Sequence, residues 1–360
     1  MTQKQNKQNV SSELSAGVLP TGLEFAEASG SEAPVLCDDS FQSVSVPNAY
    51  KELFERLPVH WIHAGEQCKS IEKAQEVWRW LEAKEADRFD TIIVIGGGTV
   101  MDLGAFVAST YKRGVKFLLI PTSLLGMVDA SIGGKNGINF NGVKNSIGTF
   151  HKPTNVLLDI EWLETLPKNE RLNGWMELSK HALVEDAPFW NHLQNMTPDD
   201  QSIDWNQIVQ RASDIKQRIV DADFHERGER KKLNFGHTVG HALESLAAKK
   251  NVPLSHGFAV GIGMIVSLHW SAKSVDNFTS QESLLGAAEY LKRLLKTDAN
   301  YDTWKWCVEQ HPEQLWPFML KDKKNRASTV LDIQLSAIGT AEWDCPLTLI
   351  HFETFWASAF

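Results

Sequence analysis

Every residue from Thr91 to Ile95 is β-branched, and the run passes straight into Gly96-Gly97-Gly98. A strand apolar on both faces must be covered on both, which suits the interior of a parallel sheet. Asp102–Thr110 then reads as a helix. Further short apolar runs are Ala33–Cys37, ending at Asp38 and Asp39, Val59–His63, ending at Gly65, Lys116–Ile120, stopped by Pro121, and Val156–Ile160. Strands separated by helical segments imply βαβ units and a mostly parallel, Rossmann-like sheet. After about residue 168 the pattern changes. Glu170–Leu183, Trp205–Val220, Thr238–Ala248, Gly257–Ala272 and Gln281–Leu295 carry helical periodicity. The only later strand candidate is Ser328–Leu335, after the charged turn Lys321–Arg326. The expected organisation is a frayed segment over 1–30, an α/β domain over 31–168 and a mainly α-helical domain over 169–360, with the site in the cleft between domains.

A length of 360 residues suits two domains. The formal net charge of −9 argues against nucleic acid or an anionic membrane as the main partner. An anionic substrate must therefore be drawn by a local basic cluster. Cys37, Cys68, Cys307 and Cys345 form no CxxC pair, so reduced thiols and a cytoplasmic setting are expected. The polar first 16 residues carry no signal-peptide core, and no apolar run is long enough to span a membrane.

Three constellations carry chemistry. In Gly96–Asp102, GGGTVMD, glycines after a strand let a backbone approach a pyrophosphate, although the same residues also make an ordinary turn. The stretch Tyr111–Gly148 gathers Arg113, Asp129, Lys135, Lys144 and Asn145 among glycines. It reads as basic loops for a phosphate and a carboxylate, or as a solvated loop with scattered lysines. Finally, His237 and His241 lie four apart in GHTVGHALE, His256 stands in LSHG, and Glu177 offers a carboxylate. One carboxylate and two imidazoles can make a zinc-type site with open positions. A helical histidine pair need bind no metal, however, and Glu177 with Lys180 could be a surface i,i+3 pair.

In order, GExxKS (Glu66, Lys69), GGGxxxD, YxRG, PTSLL, VDASIGGKNGIN, GVKNSIG, MELSKH, LNFGHTVGHALE and HG resemble the 3-dehydroquinate synthase family of sugar-phosphate cyclases, from about residue 60 to the last helices. The resemblance implies an NAD- and divalent-metal-dependent lyase, using zinc or cobalt. Its reaction converts 3-deoxy-arabino-heptulosonate 7-phosphate to 3-dehydroquinate and phosphate. It implies metal ligands at Glu177, His237 and His256. It implies NAD contacts at Glu66, Lys69, Gly97, Gly98, Asp102, Thr122, Ser123, Asp129 and Lys144. Substrate contacts are implied at Arg113, Asp129, Lys135, Lys144, Asn145, Lys180, Lys216, Arg230, Asn234 and His241, with Lys323 or Lys324 completing the phosphate pocket. Lys135, Asn145, Lys180, Arg230 and His241 would be catalytic. Arg113 would serve the neighbouring subunit of a homodimer. The chain departs from the family pattern at Met101, usually Gly; Phe258, usually Glu; and Asn136 and Ser123, each commonly Thr. The rival readings are another cyclase whose substrate lacks a carboxylate, an iron-dependent alcohol dehydrogenase, or a non-catalytic relative.

Overall fold

In the computed structural model, which describes residues 14–15, 33–321 and 329–360, the chain falls into two units, Met1–Thr165 and Leu166–Phe360. The strands of the first are β1 (Leu14–Ser15), β2 (Val35–Asp38), β3 (Val59–Ile62), β4 (Thr91–Gly96), β5 (Lys116–Pro121), β6 (Lys135–Phe140), β7 (Val143–Phe150) and β8 (Asn155–Leu157). Its helices are α1 (Asn48–Arg56), α2 (Ile71–Ala83) and α3 (Gly98–Thr110). Among the described residues one sheet runs β1-β8-β5-β4-β2-β3, with every pairing parallel. The β-branched run sits in its middle, with Ile93 flanked by Val35 and Leu118. Ile93, Val94 and Ile95 are fully buried. A Cβ on Gly104 would come within 2.6 Å of Val94, so α3 packs on β4 with no room for a side chain there.

Several sequence expectations change. The helix after the glycines starts at Gly98, not Asp102, because Gly97 serves as its N-cap directly at the end of β4. The strand expected over Val156–Ile160 is Asn155–Leu157. It stops because Asp159 caps a 3-10 turn over Ile160–Leu163, its Oδ1 accepting the Glu161 N–H at 3.0 Å. The glycine-rich stretch read as loops contains an antiparallel hairpin, β6–β7. Its turn is Asn141-Gly142, with φ 49° and 76° at the two residues, the geometry that matches strand twist. The expected fraying of residues 1–30 lies outside the described residues, except at Leu14–Ser15, which pair with Val156–Leu157.

The second unit is mainly helical: α4 (Lys168–Glu185), α5 (Ala187–Leu193), α6 (Trp205–Ala222), α7 (His237–Lys250), α8 (His256–Ser274), α9 (Phe278–Leu295), α10 (Tyr301–Val308), α11 (Pro312–Leu320) and α12 (Leu349–Ala359). The late strand is Val330–Ala337, β9, and it is not alone. It forms a hairpin with β10 (Thr340–Leu347). The second strand carries Pro346 and two register shifts, which break the alternation that marks a strand in sequence. Asp332 on β9 is 1% exposed and accepts from Thr238 Oγ1 at 2.8 Å and Ser267 Oγ at 3.1 Å, tying the hairpin to α7 and α8. Among the described residues no helix is long and apolar enough to cross a membrane.

Candidate active site

Three helices of the second unit deliver a converging donor set. Glu177 lies on α4, His237 is the first residue of α7, and His256 is the first residue of α8. Glu177 Oε1 is 3.6 Å from His237 Nε2 and 3.5 Å from His256 Nε2. One ligand atom from each of the three residues lies within 4.8 Å of the others. The far nitrogen of each imidazole is engaged elsewhere. His237 Nδ1 is 3.3 Å from the Phe235 carbonyl, and His256 Nδ1 is 3.3 Å from Glu244 Oε2. Such contacts fix which nitrogen faces a metal and hold the ring plane. Glu244 was missed in the sequence. It stands three residues after His241 on α7, on the same helix face, and that spacing is the signal that could have found it. Phe258, a departure from the pattern of the resemblance, is a buried apolar side chain. Burial disfavours a charged His256, but the Glu177 and Glu244 carboxylates outweigh it and raise its pKa to about 10.

Glycines let these helices meet. A Cβ on Gly257 would lie 2.1 Å from the Asn173 carbonyl oxygen, and the Gly257 N–H donates to Asn173 Oδ1. Asn173 is one turn before Glu177, so this contact fixes the spacing of Glu177 and His256. Gly236, at φ 77°, would place a Cβ 2.6 Å from Met264. Gly257→Ala is expected to cost about 3 kcal/mol, the upper range for overpacking a close backbone contact. Melting should fall by at least about 5 °C at about 2–4 °C per kcal/mol, which calorimetry will read.

Of the other predicted residues of this unit, Lys180 and His241 touch the donor set directly. Lys180 is 1% exposed and donates to Glu177 Oε2, which rules out the surface-pair alternative. His241 stacks edge-on to His237 at 5.2 Å between ring centroids. Arg230 is buried on the 3-10 segment Glu229–Asn234 that leads into α7, and its Nη1 donates to the Phe224 carbonyl at 2.7 Å. Asn234, at the end of that segment, donates to Glu226 Oε1 at 2.6 Å. Lys216 is buried on α6. Lys323 and Lys324 lie outside the described residues.

The first unit gathers a second polar cluster. Lys69, 4% exposed, donates to Asp102 Oδ2 at 2.6 Å and to Asn145 Oδ1, and lies 3.9 Å from Glu66. Burial pushes the Asp102 carboxyl above its ordinary pKa, and Lys69 opposes that shift. Beside it, α3 begins with no side-chain cap. Neither Gly97 nor Gly98 has a positive φ. Among the described residues an added Cβ would meet only Ser123 Oγ at 3.7 Å and the Ala130 Cβ at 3.5 Å, respectively. Neither backbone strain nor a clash with the described residues therefore calls for glycine here. Open glycines at an uncapped helix N-terminus suit a close-lying anion. Met101 points into the core and fills the space at Gly126. Thr122 N–H donates to Gly96 O at 3.0 Å, which keeps Thr122 and Ser123 beside this turn, and Asp129 lies on the short helix Gly126–Ala130 next to it. Lys135 and Lys144 are exposed on the β6–β7 hairpin. Asn136 donates to the His151 carbonyl at 2.9 Å and serves the fold.

Arg113 does not join either group. It sits at the C-terminal end of α3, whose 13 residues span about 20 Å at about 1.5 Å per residue, opposite the glycine turn. Lys112, Arg113 and Gly114 have φ of 46°, 71° and 104°, a strained run pinned by Lys112 Nζ donating to the Ala86 carbonyl at 2.5 Å.

Comparisons with known proteins identify the family. A family model for the 3-dehydroquinate synthase N-terminal region matches residues 59–173, and its C-terminal counterpart matches 174–325. A 3-dehydroquinate synthase of Parabacteroides distasonis is 35% identical over 291 residues, covering 79% of each chain. Among solved structures, 2-epi-5-epi-valiolone synthase from Streptomyces hygroscopicus subsp. jinggangensis 5008, with NAD+ and Zn2+ bound, superposes with a TM-score of 0.81 at 23% identity over 99% of each chain. A 2-deoxy-scyllo-inosose synthase complexed with carbaglucose-6-phosphate, NAD+ and Co2+ does so at 0.76 and 19% over 94% of each. These structural likenesses establish the fold, while the sequence match to both halves of one family goes further: the chain belongs to the 3-dehydroquinate synthase family.

Proposed function

We propose that the protein is a 3-dehydroquinate synthase, a phosphate-eliminating cyclase that uses NAD and one divalent metal ion, zinc or cobalt. The observation that carries this reading is the Glu177, His237 and His256 donor set, with the far nitrogen of each imidazole already engaged. An oxygen and two nitrogens suit a borderline metal such as zinc or cobalt and leave positions for substrate oxygens. The open glycines Gly97 and Gly98, with Glu66, Lys69 and Asp102 beside them, suit a dinucleotide. The structurally similar cyclases, with NAD+ and Zn2+ or Co2+, support the same pair of cofactors. When bound, NAD supplies reversible hydride removal at one carbinol and the metal supplies Lewis acidity at neighbouring hydroxyls.

The chain's own residues then hold and orient the substrate. Lys135, Lys216 and Arg230 would hold the carboxylate and ring oxygens, with Lys180 beside the metal carboxylate. Asn234, His241 and a lysine of the pair Lys323 and Lys324 would hold the phosphate, and His241 can relay a proton to it. Thr122, Ser123, Asp129, Lys144 and Asn145 would complete the nucleotide and substrate contacts. Much of this work is orientation and fixed charge. Arg113 would act from a neighbouring copy in a homodimer. Its place about 20 Å along α3 from the glycine turn supports that reading, since an arginine side chain cannot span such a distance. Four unpaired cysteines suit a reducing cytoplasm.

With NAD and zinc or cobalt, the protein should release phosphate from the heptulosonate phosphate and not from sedoheptulose 7-phosphate or glucose 6-phosphate. NADH should not accumulate during turnover. Phosphate release from a sugar phosphate lacking the carboxylate would reassign it to another cyclase, and steady NADH build-up would mark a dehydrogenase. Arg230→Ala should lose a charge-assisted contact of about 2–5 kcal/mol in a closed site. Its kcat/KM should fall roughly thirtyfold or more at about 1.4 kcal/mol per decade. A value near wild type would place the substrate carboxylate on another residue.

A further inference from the structure

On β7, Lys144, Asn145 and Ser146 stand opposite the single residue Asn139, because Ile138 pairs with Ile147 and Phe140 with Val143. A bulge of this kind leaves residues without ladder partners and re-aims side chains. Asn145 takes φ 50° within it. Asn139 spans the gap. Its Oδ1 accepts the Asn145 N–H at 2.9 Å, and its Nδ2 donates to Glu66 Oε1 at 2.8 Å. Its own N–H donates to the Lys69 carbonyl at 2.8 Å. The Lys69 ammonium closes the circuit by donating to Asn145 Oδ1 and to Asp102. One primary amide thus grips a residue assigned to the nucleotide at one end and a residue assigned to the substrate at the other.

We propose that Asn139 is a positioning residue that holds Glu66 with its amide nitrogen and the strained Asn145 backbone with its amide oxygen, keeping nucleotide and substrate contacts in register. The proposal rests on the roles given above to Glu66 and Asn145. Its geometry makes the two halves separable. Asn139→Asp keeps an oxygen for the Asn145 N–H but sets a carboxylate against Glu66. Asn139→Ala removes both contacts.

The test compares the two variants with wild type by calorimetric NAD binding, amide hydrogen exchange across Asn145, kcat at saturating NAD, and thermal melting. For Asn139→Asp, the NAD dissociation constant should rise about tenfold or more through lost donation and like-charge repulsion. Asn145 exchange and kcat at saturating NAD should stay within about threefold of wild type, because the oxygen contact survives. For Asn139→Ala, Asn145 exchange should accelerate about tenfold or more, and kcat at saturating NAD should fall by a similar factor. Two variants that behave alike, two that leave every readout unmoved, or two that both lose cooperative melting would each overturn the proposal. If wild type itself binds no NAD, the nucleotide reading falls, and the contrast in Asn145 exchange still decides whether the amide oxygen holds that turn.

Discussion

His256→Ala is expected to lose metal and activity together. Apparent zinc-binding free energies of about 10–16 kcal/mol shared among four donors give about 3 kcal/mol per ligand, or about two decades in affinity. The variant's metal affinity should therefore drop at least roughly a hundredfold, and zinc or cobalt at concentrations that restore chelator-stripped wild type should not restore it. Full activity of the variant after exhaustive metal removal would rule out the assignment. The same site gives a pH signature. In metal-free protein His256 holds its proton up to about pH 10, because Glu177 and Glu244 outweigh the effect of burial. Metal must displace that proton, so affinity should rise about tenfold per pH unit below about pH 10 and flatten above it. Proton release on metal addition, followed with an indicator dye in weak buffer, measures this directly. The stability sign is the opposite. A histidine whose folded pKa is raised contributes fully below its unfolded value of about 6.5 and loses that contribution as pH rises toward the folded one. Chelated protein should lose this histidine's share of melting stability across that interval.

The second large effect concerns assembly. Arg113→Ala and His256→Ala homodimers should each be nearly inactive, yet co-expression of the two chains should restore activity. On the proposed in-trans role, the Arg113→Ala chain of a mixed dimer would keep its own Glu177, His237 and His256 and borrow Arg113 from its neighbour. Random pairing makes about half the dimers mixed, each with one competent site of two, so activity should return to roughly a quarter of wild type. Mass spectrometry establishes the mixing. Confirmed mixed dimers without recovered activity would mean that Arg113 acts within its own chain.

The parts legible in the sequence were those with one local cause. Thr91–Ile95 announced a buried parallel strand because β-branched residues on both faces have few other uses, and five helices declared themselves by period. The hairpin at Lys135–Phe150 was hidden because its glycines and polar residues look like loop, although Asn141-Gly142 is a strong turn signal flanked by it. β10 was hidden by Pro346 and its two register shifts. At the site, histidine and carboxylate spacing pointed to a metal. Glu244 showed only its spacing from His241, while Asn173 and Asn139 were invisible because each acts through a contact between segments far apart in the chain: Asn173 with Gly257, and Asn139 with Glu66. Sequence shows which atoms can react more readily than which atoms hold them still.

The buried carboxylate of Asp332 gives the chain's last stretch a role beyond covering. It answers two hydroxyls, Thr238 beside His237 and Ser267 on the helix that begins with His256. Leu335 N–H donates to Ser271 at 2.9 Å and Gln334 to Ser274 at 2.9 Å, so three serines along α8 are read off by one strand. The family match ends at residue 325, before any of these partners. A truncated chain ending there would contain every predicted ligand and still leave α7 and α8 with unanswered polar groups in their interior. The smallest portable catalyst is therefore longer than the recognisable family segment, and any fusion or domain graft of this enzyme has to carry the terminal hairpin with it.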